Sequence, residues 1–198
     1  MTHTHSAGKR RNMVHHPLLR RFFHYLNRFL MVPHFRLGLG MFVGNPFTGY
    51  IMVIKTTGRR TGRARYTPVN YAIADGNVYC LSGWGEASHW YRNLMADPRV
   101  ELLMPHGAVQ GIAEVVTDPA EALQVTRQVL INGGFAGFFL GFNPRTALPA
   151  LIVERARGTP VIRIRPVGIG SGAGDPGGWL WALAFAVLAW LGLRRSRK

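Results

Sequence analysis

Hydrophobic and polar positions alternate along this chain in two different rhythms. Between Pro17 and Val32, Leu18, Leu19, Phe22, Phe23, Leu26, Phe29 and Leu30 recur at three- and four-residue steps. Arg20, Arg21, His24, Asn27 and Arg28 fill the other side. That spacing predicts a basic amphipathic helix, ended by Pro33, whose apolar stripe either packs on the domain or lies in a lipid interface. A loop follows, marked by Gly38, Gly40, Gly44, Asn45 and Pro46. The rhythm then shortens. Ile51–Ile54, Tyr66–Ala74 and Val78–Ser82 read as strands, the last two joined by Asp75-Gly76, a dipeptide that tolerates positive φ in a tight hairpin.

Beyond an irregular Gly83–Ser88, His89–Ala96 reads as a short helix capped by Ser88 and stopped at Asp97-Pro98. Val100–Met104 and Ala108–Val116 are further strands. Asp118-Pro119-Ala120-Glu121 starts a helix that stops near Ile131, before Asn132-Gly133-Gly134. Phe135–Phe142 is apolar and aromatic, fit to wall a pocket or to fill a core. Leu151–Glu154 and Val161–Arg165 are expected as two last strands. Short, mostly hairpin-linked strands with a few helices define an α+β class, an antiparallel barrel with helices on its flank.

After a Gly/Ser/Pro-rich stretch the pattern changes once more. Trp179–Leu193 is uncharged and ends in Arg194-Arg195-Ser196-Arg197-Lys198. Trp179, Trp181 and Trp190 bracket it like interfacial anchors, which makes a C-terminal hydrophobic membrane anchor the expectation, although a span takes roughly twenty residues. The chain therefore divides into a disordered basic arm (1–16), an amphipathic helix and loop (17–46), a barrel domain (47–167), a linker (168–178) and an anchor with a basic tail (179–198). The arm lacks the apolar segment of a cleavable secretion signal. A membrane-associated location on the cytoplasmic face is expected.

Composition adds charge to this picture. Of 198 residues, 24 are Lys or Arg and 9 are Asp or Glu, giving +15 at neutral pH. Nucleic acid, an anionic membrane or a polyanionic small ligand would each suit such a balance. The cations cluster in the N-terminal helix, in Lys55–Arg65 and in the C-terminal tail, which is not the continuous stripe of a duplex binder, so no nucleic-acid partner is expected. The single cysteine, Cys80, excludes an internal disulfide and reads as buried filler. The scattered N-terminal histidines lack companion cysteines or carboxylates, and no metal site is expected.

The chemistry concentrates at Lys55-Thr56-Thr57-Gly58-Arg59-Arg60-Thr61-Gly62-Arg63-Ala64-Arg65. Glycines allow a backbone to turn its amides toward a ligand, threonines donate hydroxyls, and Lys and Arg form charge-assisted bonds to phosphate or carboxylate. A solvated hairpin tip would have the same composition.

This block, with Arg65-Tyr66-Thr67-Pro68-Val69 and Trp90-Tyr91-Arg92-Asn93-Leu94-Met95-Ala96-Asp97-Pro98-Arg99-Val100, resembles the deazaflavin-dependent nitroreductase family. The resemblance extends more weakly to about Val167. It implies a split β-barrel and coenzyme F420, an 8-hydroxy-5-deazaflavin with a phosphate and a polyglutamate tail. FMN is a less favoured cofactor. By resemblance Lys55, Arg59, Arg60 and Arg65 hold phosphate and tail, while Thr56, Thr57 and Gly58 add hydroxyl and backbone donors. Tyr66, Thr67, Pro68 and Val69 line the ring, and Ser82, Gly83, Trp84, Trp90 and Asn93 close the other side. No protein nucleophile is implied, because the cofactor carries the hydride. Trp84, and phenylalanines (Phe135, Phe138, Phe139, Phe142) in place of tyrosine, depart from the nitroreductase pattern. Trp84 would narrow or reshape the acceptor site, and a phenylalanine-lined mouth on a membrane-attached enzyme points to a lipophilic acceptor such as a quinone, an isoprenoid or an unsaturated lipid, with nitro compounds as side substrates. An anionic membrane surface and a second copy of the chain are the further expected partners. The alternative is a split barrel that binds FMN, haem (through His89 or His106) or fatty acid without redox turnover.

Overall fold

The computed structural model describes residues 25–44, 48–134, 141–171 and 177–195. The arm, the first half of the amphipathic stripe and Phe135–Phe139 lie outside them. Strands β1 (Ile51–Thr57), β2 (Ala64–Ala74), β3 (Asn77–Leu81), β4 (Arg99–Met104), β5 (Gly107–Val115) and β6 (Val161–Ile169) close into an antiparallel barrel in the order β1-β2-β3-β6-β5-β4. The β2–β3 hairpin turns as its dipeptide requires, with Asp75 at φ 48° and Gly76 at φ 72°.

Strand alternation sorts side chains to the two surfaces of the barrel wall. Met52, Ile54, Val78, Cys80, Val100, Leu102, Ile162 and Ile164 form the inner core. Helix α2 (His89–Ala96) contributes Trp90, Tyr91 and Leu94 to that core. Outward, Val53 and Leu103 meet Phe35 of α1 (Val32–Arg36). A second outer cluster joins Ala72, Tyr79 and Val161 to Val125 and Val129 of α3 (Pro119–Ile131). Burying an aliphatic or aromatic side chain of this size contributes about 1.5–3 kcal/mol, so these two helices are held by the barrel rather than by their own short hydrogen-bond ladders. Asp118 caps α3, its carboxylate accepting from the Glu121 amide at 2.8 Å. At the other end Asn132 donates to the Tyr71 carbonyl at 2.9 Å.

Four expectations need correction. Pro33 does not end the N-terminal helix: a π-helical turn (Asn27–Met31) runs into α1, and Pro33 is the second residue of α1, directly after the point where the π-helical pairing gives way to the α-helix. Leu151–Glu154 is not a strand. It belongs to helix α4 (Pro149–Arg155), started by Pro149 and burying only Ile152; three apolar residues and a glutamate carry neither period. The barrel thus has six strands. β6 runs on to Ile169, past Arg165 and into the expected linker, because backbone pairing to β5 continues where the side chains are exposed. Finally, helix α5 (Gly177–Arg195) forms around Trp179–Leu193, yet no helix among the described residues is long and apolar enough to cross a membrane. Fifteen uncharged residues reach about 22 Å, against roughly 30 Å of hydrocarbon.

Candidate functional site

The six residues between β1 and β2 form a turn that is closed on itself. The Gly58 amide donates to the Arg63 carbonyl at 2.9 Å, and the Gly58 carbonyl accepts from the Thr61 and Gly62 amides at 3.0 and 2.7 Å. A Cβ on Gly58 would stand 3.0 Å from the Arg63 oxygen, so any larger residue would make the turn shift by a few tenths of an ångström. These amides are therefore committed to the loop itself. What the loop presents outward is side chain: exposed Arg60, Arg63 and Arg65, with Arg59 half-buried.

Beside this turn lies a cavity of about 740 Å³. One wall is the loop, with Gly58, Arg59, Arg60 and Thr61. A second is the start of β2, with Ala64, Arg65, Tyr66, Thr67 and Pro68. The beginning of α2 supplies His89, Trp90 and Asn93, and the N-terminal helix supplies Asn27, Arg28 and Val32. Four arginines and no carboxylate stand among the described residues of this lining. Arg60 has no hydrogen-bond or ion-pair partner among the described residues, and Arg65 reaches only the Thr61 hydroxyl, at 3.5 Å. Cations gathered without acids are an anion site by Coulomb's law, and guanidinium forks match phosphate and carboxylate. Trp90 and the Tyr66–Pro68 strand add apolar and aromatic surface for a planar ring.

The expected site residues separate. Arg59, Arg60, Arg65, Gly58, Tyr66, Thr67, Pro68, Trp90 and Asn93 come together here. Thr56 is buried behind them, its hydroxyl donating to the Arg65 carbonyl at 3.5 Å and accepting from Asn93 at 3.4 Å. Val69 packs against the inner core. Ser82 is fully buried, its hydroxyl shared between the Gly85 carbonyl (2.8 Å) and Ser88 (3.0 Å), and neither Gly83 nor Trp84 lines the cavity. Lys55 and Thr57 line a second, smaller cleft of about 360 Å³ with Arg99, Glu101 and Gln110. There the Lys55 ammonium sits 2.6 Å from the buried Glu101 carboxylate, which also accepts from the Ser171 amide and hydroxyl. The hydrogen bond to Glu101 raises the Lys55 pKa above its ordinary 10.5. Burial alone would push Glu101 up, but the bonds from Lys55 and Ser171 outweigh it and hold the carboxyl below 4.5. Reasoning from sequence missed Asn27, Arg28 and Val32, because only tertiary docking brings the N-terminal helix to this loop. Among the described residues no cluster of His, Cys, Asp or Glu could hold a metal ion.

An antiparallel barrel that carries beside its first hairpin an arginine cavity with no carboxylate among its described lining residues is a scaffold built to bind an anionic ligand. Residues 32–138, more than half of the chain, match the family model of the F420H(2)-dependent quinone reductases. The chain belongs to that family: it is an F420-dependent oxidoreductase, and coenzyme F420 is its cofactor. The cavity's arginines and its aromatic and apolar walls fit a phosphorylated, polyanionic deazaflavin. No curated protein matches the chain. Among solved structures it is similar to a conserved hypothetical protein from Mycobacterium tuberculosis (20% identity over 60% of this chain and 76% of that one, TM-score 0.44). It is also similar to an F420-H2 dependent reductase (18%, 58% and 93%, TM-score 0.42) and to a heme storage protein from Vibrio cholerae (14%, 69% and 88%, TM-score 0.40).

Proposed function

We propose that the cavity beside the β1–β2 turn holds coenzyme F420 and that the enzyme's acceptor is lipophilic: a quinone, an isoprenoid or an unsaturated lipid, with nitro compounds as side substrates. The observation that carries this reading is the absence of any described carboxylate among four lining arginines. Arg59, Arg60 and Arg65 would bind the phosphate and tail carboxylates, and Tyr66, Thr67, Pro68 and Trp90 would flank the ring. When bound, the reduced deazaflavin supplies a two-electron hydride. The chain's own work is to orient the group, exclude water and admit the acceptor; no side-chain nucleophile is required.

The acceptor class is supported by exposed surface on the N-terminal helix, whose Asn27, Arg28 and Val32 line the cavity, and on the loop that follows it. Tyr25, Phe29, Leu30, Met41 and Phe42 are 43–67% exposed. Arg28 and Arg36 lie among them, Arg28 over the Phe29 ring at 5.6 Å. Apolar residues mixed with arginines suit the interface of an anionic membrane, where a lipophilic acceptor is concentrated. On this reading the enzyme works at a membrane surface on the cytoplasmic side, and the exposed apolar residues of α5, Phe185, Leu188 and Trp190, lie in the interface without spanning it.

The test is a titration of intrinsic Trp fluorescence with F420, FMN and haem in turn, followed by assays with reduced F420 and a series of acceptors. Quenching by F420 alone, and turnover of menaquinone but not of hydrophilic acceptors, is expected. Reduction of hydrophilic acceptors only would overturn the acceptor class. Quenching by FMN or haem with none by F420 would overturn the assignment of the cavity.

A further inference from the structure

Asn93 is the one uncharged polar side chain of α2 buried against the arginine loop, at 5% exposure. Its carbonyl oxygen accepts from the Arg59 main-chain amide at 3.3 Å and from Arg59 Nη1 at 3.1 Å. Its amide nitrogen donates to Thr56 Oγ1 at 3.4 Å. A primary amide has two acceptor lone pairs and two N–H donors, so three of the four are already satisfied within the protein. What remains is a single N–H donor. The same residue is gripped by main chain and side chain together, and the grip comes from a helix whose Trp90, Tyr91 and Leu94 are embedded in the barrel core.

The consequence falls on Arg59. Its Nη1 bonds both Asn93 and the His89 carbonyl, the latter at 3.4 Å. Both hydrogens of Nη1 are thereby occupied, which leaves the Nε and Nη2 hydrogens, the side-on edge that bonds a phosphate or carboxylate with two parallel contacts. We infer that Asn93 is a positioning residue: it does not hold the cofactor but fixes Arg59 on the rigid barrel, with one guanidinium edge reserved for an anionic oxygen pair. This rests on the reading of the cavity as the F420 site. It differs from that reading in assigning Asn93 to the arginine instead of the ligand. Preorganisation of this kind improves affinity because less side-chain freedom is lost on binding.

A double-mutant cycle tests it on the full chain, with F420 affinity read by Trp fluorescence. Asn93→Ala should weaken F420 about tenfold in the parent and less than about twofold when Arg59→Ala is already present, since residues that act as a unit are non-additive. An Asn93 that bound the cofactor directly, or that only supported the fold, would cost the same in both backgrounds, and that result would overturn the inference. Thr56→Val, nearly isosteric, serves where Asn93→Ala does not fold. It releases the Asn93 amide, and its smaller loss should likewise vanish with Arg59→Ala. A second readout needs no cofactor. Amide hydrogen exchange across residues 58–63 of the free protein should accelerate in Asn93→Ala at unchanged protection of β1 and β4. Parent-like exchange in the loop would also overturn the inference, whatever F420 does. Failure of the parent chain to bind F420 would instead refute the cavity assignment.

Discussion

Lys55 and Arg59 stand four residues apart in one motif, yet the fold gives them opposite surroundings. Lys55 lies on β1 directly across from Glu101 of β4 and is neutralised by it. Next to it Arg99 is paired with Asp97 at 2.9 Å. Past the end of β1 the chain leaves the sheet, and no carboxylate comes within the described lining that receives Arg59, Arg60 and Arg65. Equal positive charge therefore does two jobs. In the smaller cleft it closes the structure, fastening β1 to β4 and, through Glu101, to Ser171 where the chain leaves the barrel. In the larger cavity it is left available. A count of cations in the motif cannot separate these roles; only the partner across the sheet can.

The strongest way to break this contrast is to remove charge from each side. Arg59→Ala with Arg60→Ala should weaken F420 by about 100-fold or more, since each charge-assisted hydrogen bond contributes about 1.5–3 kcal/mol. Lys55→Met should change F420 affinity by less than about threefold, an effect of screened long-range charge alone. Fluorescence titration of the variants in parallel decides it, and equal losses would erase the distinction.

The next effect is on stability. Lys55→Met or Glu101→Gln should each cost about 1–2 kcal/mol in urea denaturation, discounted because the Lys55 side chain is 34% exposed. The pH dependence has a sign. The folded Glu101 carboxyl titrates below its ordinary 4.5, so its contribution is present above that value and disappears as pH falls through the folded pKa. Lys55 titrates above 10.5 when folded, so its share is complete below 10.5 and fades as pH rises through the raised value. Glu101→Gln should remove this part of the acid limb, and an unaltered stability–pH curve would contradict the pairing.

A smaller effect probes the loop backbone. Gly58→Ala places a Cβ 3.0 Å from the Arg63 oxygen, so the turn must shift by a few tenths of an ångström, which should weaken F420 several-fold and lower the melting temperature by no more than about 2–4 °C. Binding and calorimetry together separate the two. The smallest is a change of nothing: Cys80, fully buried with its thiol pushed up to about 12, should resist alkylation at about pH 8 until the chain is unfolded.

Much of the barrel could be read beforehand. Asp75-Gly76 determined a hairpin, Asp118-Pro119 a helix start, and short apolar runs bounded by turn residues gave the strands of the first meander and the β4–β5 pair. The failures have physical causes. Leu151–Glu154 has no period to read, the last residues of β6 are exposed and patterned like a linker, and Pro33 looks like a stop unless the turn before it is π-helical. The arginine-rich loop was legible as a motif, and the side-chain partners within it were not. The pairing of Lys55 with Glu101 could not be read because strand partners are not written locally, and nor could the bond by which the Gly58 amide closes the turn. Nothing in the sequence distinguishes an asparagine that touches a cofactor from one that holds an arginine.

The most direct test of the account is a crystal structure of the full chain with F420 bound. The account predicts the phosphate and tail carboxylates within hydrogen-bond distance of Arg59, Arg60 and Arg65, with the Lys55–Glu101 pair intact and remote from the ligand. A cofactor whose phosphate or tail is bound at Lys55, with Glu101 displaced, would contradict it.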